Sequence, residues 1–177
     1  MRKLFLVMAV CLIVPFIFAA QQSSKEQKEK SQNPTALCPM HDAHSKMNER
    51  GEKGMGFSQS ATTHHFLMNP NGGAIQVEAN DAADTANRDN IRMHLTHIAQ
   101  AFANGDFDIP MFVHDTVPPG VPEMKRLREK IRYSFEETPN GGRVVIVTAD
   151  KEALAAIRKF LRFQIEEHKT GDPTEVK

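Results

Sequence analysis

Cysteine, methionine and histidine side chains cluster near the start of this sequence in a pattern that could bind a metal ion. The cluster contains Cys38, Met40 and His41, with His44 three residues further on. Thiolate and thioether sulfur combined with imidazole favour Cu(I) or Zn²⁺. The alternative is a chance cluster in a flexible region. On the first interpretation this capture segment, residues 38–44, is a mobile metal-binding loop.

A second group of candidate ligands becomes visible because the sequence repeats itself. Residues 66–81 read FLMNPNGGAIQVEAND and residues 135–150 read FEETPNGGRVVIVTAD, an offset of 69. After a three-residue shift the match resumes at an offset of 66, with Ile91 corresponding to Ile157. Identity at this many fixed positions indicates a duplicated unit.

Comparison of the two units singles out three histidines in unit one. They stand where unit two has Tyr, Phe and Phe, and they are His64, His94 and His97. Strand alternation places His64 on the core-facing side with Phe66. The i, i+3 spacing places His94 and His97 side by side on their helix. Because buried imidazoles cost free energy unless they are bonded, and one ion bonds all three, the sequence predicts a domain-held metal site.

Several ions and one cofactor suit such a site. Three histidines with an open fourth position suit zinc, and imidazole suits copper equally well. Further candidate ligands near the site are Met68, Met93 and His114. The alternatives are three hydrogen-bonded structural histidines, or a haem that has His94 or His97 as its axial ligand. We interpret His168, near the end of the last helix, as a charge partner of that helix terminus.

Each unit has the pattern of strand, turn, strand and helix. Pro-Asn-Gly-Gly between two β-prone runs is typical of a hairpin turn. Asp81 or Asp84 in unit one, and Asp150 in unit two, can cap the following helix. A Pro-rich connection over 106–121 and a short helix over 122–130 separate the units. The order predicts an α+β fold of duplicated ββα units, with an antiparallel sheet and helices packed on one face.

The N-terminus has the pattern of a secretory signal peptide. Two basic residues precede an apolar run from Leu4 to Phe18, and Ala19-Ala20 follow it. The run is shorter than the roughly 20 residues that span a bilayer, and an uncleaved anchor is the alternative. Cleavage would make the protein periplasmic or secreted, with Cys38 as its single cysteine.

These patterns divide the chain into three parts. Residues 1–20 are the predicted signal peptide, and residues 55–173 the duplicated ββα domain. Between them, residues 21–54 are rich in Lys, Glu, Gln and Ser, which predicts a disordered tether that carries the Cys-Pro-Met-His segment.

Composition excludes several classes of protein. With 22 basic and 22 acidic residues in 177, the chain lacks the basic excess typical of nucleic-acid-binding proteins. It has no nucleophile elbow, Walker loop or dinucleotide fingerprint. We therefore predict a binding protein rather than an enzyme, with a metal ion as its partner. We expect no nucleic-acid partner and, after signal cleavage, no membrane partner; the sequence does not predict the oligomeric state.

Two parts of the sequence resemble known families. Cys38-Pro39-Met40-His41 resembles the heavy-metal-binding motif of bacterial copper and heavy-metal efflux proteins, which implies binding of such metals. The globular part is similar to a family of small exported bacterial proteins, which implies an exported location and a shared fold without implying an activity. The markers of that family are Thr62-Thr63-His64-His65-Phe66, Ile91-Arg92-Met93-His94-Leu95 and Gly105-Asp106-Phe107.

Taken together, the sequence predicts an exported, periplasmic protein that binds or buffers a metal ion, with copper favoured over zinc. The predicted ligands are the histidine cluster of the domain and the capture segment. A haem-binding protein that uses His94 or His97, and a metal-dependent enzyme at the His64, His94 and His97 site, are the alternative interpretations.

Overall fold

A computed structural model describes residues 39–176, with side chains from residue 45 onward. In chain order the helices and strands are α1 (Pro39–Met55), β1 (Thr62–Asn69), β2 (Gly72–Ala79), α2 (Thr85–Ala103), α3 (Asp108–His114), α4 (Val121–Arg126), β3 (Ile131–Thr138), β4 (Gly141–Thr148) and α5 (Lys151–His168). One turn of 3-10 helix, Arg128–Lys130, lies between α4 and β3. The described residues therefore confirm the predicted α+β fold.

The strands form one antiparallel sheet in the order β1-β2-β4-β3. Each unit contributes a hairpin, and the two inner strands pair across the units, with Ile75 opposite Val144. The first hairpin turn needs glycine, because Gly72 has a φ of 153° and a Cβ there would collide with the backbone of Ile146. The two ββα units predicted from the repeat are thus joined into a continuous sheet.

Helices α2 and α5 begin at the aspartates that the sequence predicted as caps. The Asp84 carboxylate accepts a hydrogen bond from the backbone N–H of Asn87 at 3.0 Å. The Asp150 carboxylate accepts from Glu152 and Ala153 at the start of α5. Of the two candidates in unit one, Asp84 is therefore the cap.

The two long helices cross over to the other unit. Helix α2 packs mainly on β3 and β4, whereas α5 packs mainly on β1 and β2. Both contribute to one core with the sheet residues Phe66, Ile75 and Val144, which lie side by side in register. As a result, the last turn of α5 lies over the first strand of unit one.

Two helices lie where the sequence predicted irregular chain. Helix α1 occupies the last part of the predicted tether, so that prediction is wrong for residues 39–54. It packs against α3: Met47 is buried, and Arg50 Nε donates to the Val113 carbonyl at 2.8 Å. Helix α3 lies in the Pro-rich connection, where Pro110 is tolerated because it falls in the first helical turn.

The remaining N-terminal predictions fall outside the described residues. These are the signal peptide of residues 1–20 and the tether up to residue 38, which includes Cys38. Within residues 39–176, the helices are too short or too polar to cross a bilayer.

Substitution of two methionines, one buried and one exposed, can test the position of the core. Met124 is fully buried, whereas Met93 is 70% exposed. We expect Met124→Ala to lower the free energy of unfolding by about 2–5 kcal/mol, because truncation leaves a cavity. Met93→Ala should change it by less than about 0.5 kcal/mol. Urea denaturation followed by circular dichroism measures both, and equal losses would contradict the described core.

Candidate metal centre

A small cavity lies where β1, β2, α2, α3 and α5 meet. Four histidines line it: His64, His94, His114 and His168. Its wall is otherwise apolar apart from the Gln164 amide and the Met55 thioether. The volume of this histidine cavity is about 60 Å³. Since one water occupies roughly 10–15 Å³ by this measure, the cavity has room for an ion and a few small ligands.

Strand β1 places its two adjacent histidines on opposite sides. His64 lies on the same side as Phe66, with their ring centroids 6.4 Å apart, as strand alternation predicts. His65 points to the other side, where its Nδ1 lies 3.0 Å from the carboxylate of Asp172. The prediction that His64 faces the core is therefore confirmed.

The two histidines of α2 are not equivalent. His94 lines the cavity, with its ring centroid 5.5 Å from that of Phe57, whereas His97 is exposed and lies outside the cavity wall. At 100° per residue, His94 lies about 70° from the centre of the buried stripe of α2 and His97 about 130° from it. The prediction that His64, His94 and His97 converge is therefore wrong for His97.

Two other histidines complete the wall, one at the end of α3 and one at the end of α5. His114 was a predicted further ligand, and the structure brings it to the cavity. Its ring centroid is 5.1 Å from that of His168, which in turn is 5.7 Å from that of His64. Three imidazoles thus follow one another along the wall. Of the candidate thioethers, Met93 is exposed and Met68 packs against the core, while Met55 reaches the cavity.

His168 was interpreted as a helix-terminal charge, and its place in the cavity was missed. The repeat does indicate a core position for His168, because the offset of 66 maps His168 onto Phe102, a buried residue of the α2 stripe. The same offset maps Gln164 onto Ile98. Unit two therefore carries polar side chains at two core positions, just as unit one carries His64 and His94.

Burial keeps the imidazoles of His64, His94 and His114 neutral. It lowers the pKa of His64 to about 4, with a smaller contribution from the nearby His94. It likewise lowers the pKa of His94 to about 4, with His97 as the second cause. The pKa of His114 is also lowered, again mainly by burial. Neutral imidazole is the form that binds metal ions, so protons do not compete for these nitrogens at neutral pH.

Two buried ring nitrogens have no hydrogen-bond partner among the described residues. His114 Nε2 donates to the Gln164 side-chain oxygen at 2.9 Å, which leaves the lone pair on Nδ1, and that atom is buried without a partner. His64 Nε2 is buried in the same way. An unsatisfied buried polar atom costs roughly 1–3 kcal/mol. A metal ion bound at these nitrogens would remove that cost.

The distances between the histidine rings suit coordination of one metal ion, but the orientations of the rings do not. With metal–nitrogen bonds of about 2.0–2.1 Å, two imidazoles on one tetrahedral ion have ring centroids roughly 5 Å apart. The observed 5.1 and 5.7 Å are close to this value. However, the rings of His64 and His168 are stacked within 12° of parallel. Accordingly, no set of three His, Cys, Asp or Glu side chains in the described residues is already arranged around a common point.

The cavity volume favours a metal ion over haem. Pockets that enclose drug-sized ligands and cofactors measure about 300–1,000 Å³. The histidine cavity, at about 60 Å³, is several times smaller. His97, one of the two predicted axial ligands, also lies outside it.

The structure tests the backbone of the capture segment but not its metal binding: the predicted mobile loop is wrong for residues 39–44, which are helical. Cys38 lies outside the described residues. Met40, His41 and His44 belong to the backbone of α1, and their side chains also lie outside the description. Metal binding by this segment stays a prediction.

No protein-family model, curated protein or solved structure matches this chain. The resemblances to exported bacterial proteins and to the heavy-metal motif therefore stay predictions from the sequence.

The buried histidines predict a loss of stability in acid. The pKa of His64 and of His94 falls from 6.5 in the unfolded chain to about 4 in the folded protein. Between these values the unfolded chain binds more protons, so stability is complete above about pH 6.5 and falls as the pH drops toward 4. The shift corresponds to at most about 3.4 kcal/mol for each histidine. Urea denaturation between pH 7.5 and 4.5 measures this loss.

The repeat supplies variants that isolate this effect. His64→Tyr with His94→Phe installs the residues of unit two, and we expect the pH dependence between 6.5 and 4 to become much shallower. His97→Phe, at an exposed position, should leave most of it in place, because His97 is only the second cause of the lowered pKa of His94, after burial. An equally steep dependence in the double variant would show that other groups cause the acid sensitivity.

Proposed function

We propose that this protein is an exported, periplasmic copper-binding protein that holds or buffers the ion in the histidine cavity. One observation carries the proposal: His64 Nε2 and His114 Nδ1 are buried without a partner in the wall of a cavity that His94 and His168 also line. Neutral imidazoles with lone pairs in one small apolar space are suited to a metal ion.

The chemistry of the wall supports copper. The cavity offers imidazole nitrogens and the side chain of Met55, whose sulfur also accepts a hydrogen bond from Gln59 Nε2 at 4.0 Å, and among the described residues no carboxylate or thiolate lines it. Oxygen-seeking ions such as Ca²⁺ and Mg²⁺ find few ligands in such a wall. Burying one positive charge without an anionic ligand costs less than burying two, which favours Cu(I) over Zn²⁺. The thioether has the same preference.

The size of the cavity supports binding rather than catalysis. A volume of about 60 Å³ holds an ion but leaves no room for an organic substrate beside it. We therefore propose storage or transport of copper as the function.

The capture segment fits this proposal as a first contact for the ion. Helix α1 begins at Pro39, directly after Cys38, and its last residue, Met55, lines the histidine cavity. At 1.5 Å per residue, roughly 24 Å of helix separates its two ends. Capture at one end and storage at the other is the division of roles that we propose. The exported location rests on the signal-peptide pattern of residues 1–20.

The proposal predicts which histidines matter for affinity. Replacing a cavity histidine by its counterpart in the other unit, as in His64→Tyr or His168→Phe, removes a ligand and introduces a side chain that fits the equivalent position. We expect each to weaken Cu(I) binding by about 100-fold or more, equivalent to about 2.7 kcal/mol. His114→Ala should do the same. Anaerobic competition with a chromogenic Cu(I) chelator, alongside metal analysis of the purified protein, measures the effect.

Two controls make the outcome specific. His97→Phe changes an exposed histidine on the helix that carries His94, and should leave the affinity unchanged. Cys38→Ser with His41→Ala tests the capture segment separately. The cavity would not be the binding site if Cys38→Ser with His41→Ala weakened copper binding and the substitutions at His64, His114 and His168 did not.

A further inference from the structure

A second cavity lies directly beside the histidine cavity. Its volume is about 450 Å³, and the two cavities share the side chains of His64 and His168 as part of their walls. The other wall residues that matter here are polar: Asn48, Glu52, Gln59, Thr63, Lys169 and Thr170. We refer to this space as the vestibule.

The two spaces differ in the form of the ion that they can hold. By the measure in which one water occupies roughly 10–15 Å³, an ion that carries about six waters needs roughly 60–90 Å³. The vestibule, at about 450 Å³, exceeds this several-fold, whereas the histidine cavity, at about 60 Å³, has room for an ion and only a few small ligands. An ion that enters with a full set of ligands must therefore give up part of that set at the boundary between the two spaces.

His64 and His168 form that boundary. Their rings are stacked 5.7 Å apart, and each side chain lines both spaces. Imidazole can replace water or another weak ligand of the ion one bond at a time. Rotation of the His64 ring, whose buried Nε2 has no hydrogen-bond partner among the described residues, would both open the partition and point a nitrogen at the ion.

The outer wall of the vestibule is fixed in place. The turn after α5 is held on β1, because the Asp172 carboxylate accepts the backbone N–H of Phe66 at 2.9 Å and lies 3.0 Å from His65 Nδ1. Lys169 adopts a left-handed conformation, with φ of 53°, and its backbone N–H donates to the Ile165 carbonyl. The vestibule is thus a built feature of the fold.

We infer that the vestibule receives the copper ion together with its small ligands, and that His64 and His168 replace some of these ligands as the ion passes into the histidine cavity. This inference rests on the proposed copper-binding function. Two charged side chains face the incoming ion: the carboxylate of Glu52 attracts it, and the ammonium group of Lys169 opposes it. Charge at the vestibule should therefore control the rate of uptake.

The charge of Glu52 provides the test. With Cu(I) supplied anaerobically as its cationic acetonitrile complex, the association rate constant follows from the release rate into excess chelator and the dissociation constant. We expect Glu52→Lys to lower the association rate constant about tenfold at low ionic strength, with a smaller effect as salt is added. Lys169→Asn, which suits the left-handed backbone, should raise it.

Matched variants separate uptake through the vestibule from a general effect of charge. Glu49→Lys makes the same change one turn away on α1, at an exposed position outside the vestibule wall, and should lower the rate constant clearly less than Glu52→Lys does, with the difference greatest at about 0.1 M salt. Lys159→Asn, exposed on α5, is the control for Lys169. If Glu52→Lys and Glu49→Lys changed the association rate constant equally, the proposed role of the vestibule would be overturned. The copper-binding proposal would still stand, provided that the affinity depends on His64 and His114. Absence of Cu(I) binding by the wild-type protein would overturn both proposals.

Discussion

Burial of neutral imidazoles at the edge of an apolar core is the constraint on which the rest of this structure depends. Desolvation disfavours the charged ring, so the pKa of both His64 and His94 drops to about 4. Each ring must then satisfy two nitrogens without the help of bulk water. Gln164 does this for one nitrogen of His114, and the core position that it occupies in α5 is explained by that hydrogen bond. The unpartnered nitrogens that remain are the reason to connect this wall with a ligand.

The duplicated architecture creates the wall, and neither unit could form it alone. Because α5 crosses onto β1 and β2, His168 of unit two stacks on His64 of unit one. The connection between the units adds α3, whose last residue, His114, contacts His168 nearly at a right angle. Three segments far apart in sequence therefore bring one imidazole each to the same place. The two units diverge in sequence where their surfaces meet this cavity and agree at the turns and caps that both need.

Most of the fold could be predicted because its signals are local. The Pro-Asn-Gly-Gly turns, the Asp84 and Asp150 caps and the alternation in β1 each determine a short piece of backbone. The site was predicted only in part, for geometric reasons. His97 was included because unit two has Phe163 at the equivalent position and because His97 lies i, i+3 from His94, although its angle from the buried stripe of α2 carries it to solvent. His168 was missed because the units were compared in one direction only. Helix α1 is polar and docks through few residues, so its composition resembles that of a tether.

Neutrality of His64 also explains how its ring can be packed as it is. A charged ring in this apolar wall, 5.7 Å from the ring of His168, would pay a large desolvation cost, whereas a neutral ring does not. The same neutrality leaves a lone pair on His64, His94 and His114, and a lone pair on a buried ring is satisfied either by a donor, such as a side-chain amide, or by a metal ion. Stacking and coordination then become alternative arrangements of the same side chains, related by ring rotation. A cavity whose walls can exchange one arrangement for the other can be stable when empty and still bind an ion, which is the property that a copper buffer requires.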